Sequence, residues 1–126
     1  MKFEIFTSQR SRKGDYSISI AKLGVIGFTS GFYQKEALSK FRYVRLAYDR
    51  HKEAVGFIFS NQKEEGSYTV IDRYKHRSGA IVARSFFGKY GINIQETVSF
   101  EPKLYHDSSL GKVFYISLKK PIKKDV

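Results

Sequence analysis

Short runs of alternating apolar and polar residues, separated by breaks that contain glycine or aspartate, recur along most of this sequence. Tyr16, Ile18 and Ile20 alternate with two serines, and a second apolar run follows Gly24. Alternation with a period of two places every second side chain on the same face of a strand, and a short polar break reverses the chain. The pattern therefore predicts a chain of antiparallel hairpins.

Four hairpins and two short helices are predicted. The hairpins are expected at 16–28, 43–60, 68–82 and 98–118, a further strand at 1–7, and the helices at 31–40 and 83–90. Gly91 is placed to end the second helix in the left-handed conformation. These elements predict an α+β fold of antiparallel hairpins in which the helices cover one face of a sheet.

The length and the order of the elements suggest one domain with an internal repeat. A chain of 126 residues is close to the commonest domain size, so residues 1–126 are expected to form a single domain. The order hairpin, helix, hairpin occurs at 16–60 and again at 67–118, and the two later hairpins align without gaps. The aligned pairs are Leu46 with Leu104, Asp49 with Asp107, Val55 with Val113, Phe57 with Tyr115, and Ile58 with Ile116. Duplication explains this match, and chance coincidence of alternating apolar residues is the alternative.

The composition indicates a core that closes without disulfides or thiolate-bound metals. The chain has 11 Phe and 9 Tyr but no Cys, and hydrophobic residues make up 41% of it. No signal-peptide pattern and no apolar run of about 18 residues is present. We therefore expect a cytoplasmic protein with no cofactor and no membrane partner.

Positive charge is the strongest global signal in the sequence. Lys and Arg total 23 against 12 Asp and Glu, which gives a formal net charge of +11. A field of this sign raises the local concentration of polyanions, so DNA or RNA is the predicted partner. Solubility is the alternative explanation, since residues 119–126 form a lysine-rich tail that is expected to be flexible.

The most specific basic feature is the run from Arg73 to Arg77. If it continues a strand, Arg73, Lys75 and Arg77 share one face and form a ridge that follows a phosphate backbone. An edge strand that uses outward charges to prevent aggregation would give the same pattern.

Two further basic clusters complete the predicted phosphate contacts. Arg10, Arg12 and Lys13 lie in a polar segment after the first strand, and Arg45 and Arg50 lie around the second hairpin. A non-catalytic module that binds nucleic acid or associates with nucleoprotein is the predicted function if these clusters join on one surface.

No catalytic or metal-binding motif is present in the sequence. His51, His76 and His106 are separate, and His51 and His106 lie close to the turn aspartates Asp49 and Asp107. Turn chemistry explains those aspartates without an active site. Two alternatives stay open: a small basic ribonuclease of toxin type that uses one of the histidines, and a protein-interaction module or homodimer.

Two segments of the chain resemble a set of short uncharacterised prokaryotic proteins. In those proteins, as in this chain, a hairpin with the pattern of Tyr43–Asp49 precedes a helix that ends with the pattern of Lys89–Ile92. The resemblance covers roughly the middle half of the chain, and the matching residues are those of turns, strands and helix ends. It implies the boundaries of these elements and no activity.

Overall fold

The computed structural model of this protein describes residues 2–3 and 16–122. The described part contains ten strands and two α-helices, which confirms the predicted α+β class. In chain order these are β1 (Ile18–Ala21), β2 (Val25–Phe28), α1 (Ser30–Lys35), β3 (Tyr43–Asp49), β4 (Ala54–Ser60), β5 (Tyr68–Thr69), β6 (Ile71–Arg73), β7 (Ser78–Val82), α2 (Arg84–Tyr90), β8 (Val98–Phe100), β9 (Lys103–Asp107) and β10 (Gly111–Ser117). The strand predicted at 1–7 lies almost entirely outside the described residues.

The strands form two antiparallel sheets of five strands each. The strand order is β6-β7-β2-β1-β8 in the first sheet and β5-β3-β4-β10-β9 in the second. The hairpin predicted at 16–28 therefore lies in the first sheet and that at 43–60 in the second. The other two predicted hairpins are divided between the sheets: β5 lies in the second sheet but β6 and β7 in the first, and β8 lies in the first but β9 and β10 in the second. Because β2 pairs with β7 and β4 pairs with β10, each sheet combines strands from both halves of the chain.

The outer strands connect the two sheets on both sides. Only Val70 separates β5, in the second sheet, from β6, in the first, and only Glu101 and Pro102 separate β8 from β9. Pro102 has no backbone N–H to donate, which suits the point where pairing passes from one sheet to the other. The two sheets therefore pack face to face around the core as a sandwich, and the chain crosses between them at both edges.

Aromatic rings fill the space between the sheets. Phe28 of the first sheet and Phe57 of the second have ring centroids 5.9 Å apart in an edge-to-face contact. Phe32 of α1 contacts Phe28 at 6.2 Å and Phe114 of the second sheet at 5.1 Å. The prediction that the helices cover one face of a single sheet is therefore wrong, because α1 packs against both sheets.

The first helix is shorter than the sequence predicts. It ends at Lys35, and Ala37 takes a left-handed conformation with a φ of 53° before a 3₁₀ turn at Leu38–Lys40. Leu38 is buried all the same. The apolar spacing that predicted one continuous helix thus comes from two short helical segments that share a core.

The second helix agrees with its prediction. Gly91 follows it with a φ of 65°, and the backbone N–H of Ile92 donates to the carbonyl of Phe87 at 3.0 Å. A left-handed residue with such a bond is a common helix end, and glycine adopts it without steric cost.

The register of the second sheet corrects the gapless alignment of the two later hairpins. Phe57 pairs with Phe114, and both face the core. Val55 lies two residues from Phe57 and faces the core, whereas Val113 is adjacent to Phe114 and points to the opposite face. The turn between β3 and β4 has four residues and that between β9 and β10 has three. The matched hairpins therefore differ by one residue, and the duplication itself stays a prediction.

The described part of the predicted basic tail lies along β8. Pro121 forms an isolated bridge with Phe100, and the N–H of Ile122 donates to the carbonyl of Ser99 at 2.7 Å. Residues 121–122 thus extend the first sheet beyond β8.

Candidate nucleic-acid interface

The turn between β6 and β7 carries the most specific of the predicted basic clusters. Strand β6 ends at Arg73, and Tyr74, Lys75 and His76 all have positive φ values of 53°, 53° and 70°. Left-handed residues reverse the chain, so Arg73, Lys75 and Arg77 do not alternate along one strand face. That part of the prediction is wrong, and the three cations instead surround a tight turn.

Asp72 holds the turn in this conformation. Its Oδ1 accepts a hydrogen bond from the backbone N–H of His76 at 2.9 Å and lies 3.0 Å from His76 Nδ1. The N–H of Arg77 also donates to the carbonyl of Arg73 at 3.1 Å. Successive left-handed residues other than glycine are strained, and these bonds offset the strain.

Helix α1 supports the turn from below. The hydroxyl of buried Tyr33 donates to Asp72 Oδ2 at 2.6 Å, and Gln34 Nε2 donates to the carbonyl of Arg77 at 3.3 Å. The Tyr33 hydroxyl and the contacts with His76 hold the pKa of Asp72 below its ordinary value. Burial, followed by the bond to Asp72, raises the pKa of Tyr33. The turn is therefore anchored on a core side chain.

The exposed side of the turn combines free positive charge with an aromatic ring. Arg73, Lys75 and Arg77 are exposed and form no ion pair with another described residue. Tyr74 is 76% exposed, and its ring contacts no other ring in the described part of the chain. The only carboxylate of the turn, Asp72, is occupied by Tyr33 and His76.

The other predicted contacts lie in different settings. Arg45 on β3 pairs with Glu64, with Nη1 and Oε2 3.0 Å apart, and its buried Nε makes no hydrogen bond to any residue at 2–3 or 16–122. Arg50, in the turn between β3 and β4, places its guanidinium 4.9 Å from the ring centroid of Tyr90 in α2. The structure thus brings Arg73, Lys75 and Arg77 together on the turn supported by α1, and it places Arg50 beside α2. The cluster of Arg10, Arg12 and Lys13 lies outside the described residues.

The turn aspartates act as turn residues. Asp49 Oδ1 accepts from the backbone N–H groups of His51 and Lys52, both at 3.0 Å. These bonds hold the pKa of Asp49 below its ordinary value, with the bond from Lys52 the largest cause. Asp107 Oδ1 accepts from Leu110 N at 2.9 Å and from Ser109 N at 2.8 Å, with the same effect on its pKa.

Only one of the three histidines contacts a carboxylate through its ring among the described residues. That residue is His76, whose partner is Asp72. Sequence reasoning paired the other two histidines with aspartates because they are close in sequence, and it overlooked Asp72. An aspartate four residues before a histidine was the available signal, but it indicates a contact only if the chain turns between them.

The described residues contain no group of three or more histidines and carboxylates that could hold a metal ion. In that same part of the chain, no helix is long and apolar enough to cross a membrane. No protein-family model, curated protein or solved structure matches this chain.

Proposed function

We propose that this protein binds nucleic acid through the turn between β6 and β7. One observation carries the proposal: three cations that have no acidic partner among the described residues lie around an exposed Tyr74, on a turn that is anchored to the core. Arg forms forked hydrogen bonds to phosphate oxygens, and Lys acts as a point charge. An exposed ring among such cations can stack on a base while they hold the backbone.

The anchoring of the turn favours binding. Side chains on a mobile loop lose conformational freedom when a ligand orders them, and that loss reduces affinity. Here Asp72 already holds the backbone N–H of His76, and the N–H of Arg77 donates to the carbonyl of Arg73. Neither bond involves a cationic side chain. Replacing these cations should therefore remove charge and leave the turn intact.

The test is the salt dependence of binding to a labelled oligonucleotide, measured by fluorescence anisotropy. Each phosphate contact contributes about 0.7 to 0.9 to the slope of log affinity against log salt. Removing Arg73, Lys75 and Arg77 together, each by substitution with alanine, should lower the slope by about 2 to 3. The matched control also removes three cations, Lys103, Lys112 and Lys119, by substitution with alanine, because each already has a carboxylate partner, at 3.6, 3.9 and 3.5 Å.

Tyr74→Leu separates stacking from charge. Loss of the ring should weaken binding to single strands by about 1–3 kcal/mol and leave the salt slope unchanged. If the triple substitution leaves both affinity and slope at the value of the control, the turn is not the binding surface and the proposal is wrong.

A second candidate function, RNA cleavage, is favoured by the contact between Asp72 and His76. Asp72 would hold Nδ1–H of the imidazole, so that Nε2 takes the proton of a ribose 2′-hydroxyl. The 2′-oxygen then attacks phosphorus, the bond from phosphorus to the 5′-oxygen breaks, and water protonates the leaving oxygen. The cations of the turn would stabilise the charged phosphorane.

A histidine outside the turn provides the control for this function. His76→Ala should abolish cleavage of a labelled RNA, while His51→Ala should retain it, because the ring of His51 contacts no carboxylate in the described residues. Equal activity in both variants would exclude a catalytic role for His76.

A further inference from the structure

Strand β9 has an unpaired side. It is the outermost strand of the second sheet, and within the described residues it pairs only with β10. It has five residues, whereas the other outer strands have two or three. An unpaired strand offers a row of free N–H and C=O groups to any extended segment, and natural proteins usually cover or shorten such edges.

The side chains of β9 are also open to solvent. Leu104 is 47% exposed although it pairs with Phe114 of the core face, and Tyr105 is 53% exposed on the outer face. Two large apolar side chains on adjacent positions of a free edge are unfavourable in water, and burying them in an interface is favourable.

We propose that β9 pairs with β9 of a second copy of this chain, antiparallel and symmetric about Tyr105. The two sheets would then join into one sheet across a twofold axis, which is the commonest symmetry of soluble oligomers. Tyr105 of one copy then lies opposite Tyr105 of the other. Leu104 lies opposite His106 of the other copy, and Lys103 lies opposite Asp107 of the other copy.

The charges at the two ends of β9 favour the register centred on Tyr105. Residues directly opposite each other in an antiparallel pair share a face, and opposite charges there are stabilising. Lys103 and Asp107 are the end residues of β9, so the register with full overlap also forms two ion pairs of opposite charge. The turn bonds of Asp107 all use its Oδ1, so Oδ2 is left for this contact. Lys103, which lies 60% exposed with its Nζ 3.6 Å from Glu101 Oε1, would exchange Glu101 for Asp107 of the second copy.

Other registers lose these features. A shift that places Lys103 opposite His106 puts the core face of one copy beside the outer face of the other. A shift that centres the pair on Leu104 or His106 keeps the faces aligned but leaves only three residues of β9 overlapping and no Lys–Asp pair. The pair centred on Tyr105 combines full overlap, aligned faces and opposite charges.

The absence of cysteine in the sequence allows a clean test by cross-linking. In the proposed pair, the two copies of residue 105 have Cα atoms about 4.5–5.5 Å apart, within the range of a disulfide. Tyr105→Cys should therefore give a disulfide dimer under mild oxidation. The matched control is Lys103→Cys on the same face, where the two thiols would be four residues or about 13 Å apart.

We expect the Tyr105→Cys dimer to form at least about tenfold faster than the Lys103→Cys dimer, since disulfides require Cα atoms within about 7 Å. A mixture of Leu104→Cys and His106→Cys chains should cross-link faster than either variant alone, because these positions face each other between copies. Five residues form a small interface, so the unmodified dimer is expected to be weak.

Sedimentation equilibrium of the unmodified chain provides the second measurement. A mass that rises from monomer toward dimer with concentration supports the proposal. The proposal is overturned by a monomer at about 1 mM, where even a millimolar dissociation constant gives a visible dimer. Equal cross-linking rates at positions 103 and 105 would also overturn it.

Discussion

Gly79 is a position where a single methyl group should destabilise the protein through contact with a core ring. This residue of β7 lies against the ring of Tyr33, and a Cβ built on it would be 2.6 Å from Cε1, 3.0 Å from Cζ and 3.2 Å from Cδ1. Ordinary van der Waals contact begins about 3.4 Å away. The ring would have to move by almost 1 Å, but it is buried and its hydroxyl is bonded to Asp72.

The expected cost follows from overpacking. An extra carbon in a well-packed core costs about 1–3 kcal/mol, and the restraint on the ring favours the upper part of that range. We therefore expect Gly79→Ala to lower the free energy of unfolding by about 2–3 kcal/mol, measured by urea denaturation. The melting temperature should fall by roughly 5–15 °C.

Two comparisons decide whether the Tyr33 ring causes the loss. Gly88→Ala is the matched control, because a Cβ on that residue of α2 meets nothing within 4 Å, and alanine should stabilise the helix by about 0.5–1 kcal/mol. In a Tyr33→Leu background, the cost of Gly79→Ala should fall below about 1 kcal/mol, since the clash is gone. An equal cost in both backgrounds would refute this explanation.

Three further predictions concern the core and the titrating groups. Phe57→Ala should lower the free energy of unfolding by about 3–5 kcal/mol in urea, because the ring is fully buried between the sheets. Asp107→Asn should make the free energy of unfolding fall less steeply in acid. The N–H groups of Leu110 and Ser109 lower the pKa of Asp107 in the folded state. The stabilisation by Asp107 is therefore present above its pKa in the unfolded chain, and it is lost as the pH falls through its pKa in the folded protein. Urea titrations between about pH 5 and pH 2 check this. Burial raises the pKa of Tyr16, so Tyr16→Phe should remove a tyrosinate absorbance change that occurs at higher pH than that of exposed tyrosines.

Local sequence patterns were sufficient to predict the first two hairpins and the β9–β10 turn, but not the breaks at Val70 and at Glu101–Pro102, where the chain passes from one sheet to the other. The alternation from Ile18 to Phe28, and the aspartates that begin the turns after β3 and β9, depend on interactions between near neighbours in the chain. The division into two sheets was not predicted, because it depends on which hairpins pair at a distance. Alternation shows which residues of a strand share a face, but it does not show which element packs against that face.

The candidate site was predicted in its residues and not in its geometry. The cations from Arg73 to Arg77 were identified by composition, but their alternation suggested a strand, since nothing in that run is glycine, the usual residue for a left-handed turn. Contacts from outside the run enforce the turn, through Asp72 and through Tyr33 of a distant helix. A local pattern cannot reveal a conformation imposed by a residue that is 39 positions away.

The pairing of β2 with β7 and of β4 with β10 has a consequence for synthesis of the chain on the ribosome. Both central pairings join strands that emerge at widely separated times, so the nascent chain exposes β2 and β4 until their partners leave the tunnel. A product truncated before β10 would keep an open apolar layer, which invites proteolysis and self-association. Stop codons should therefore yield no stable fragment from the first half of this gene.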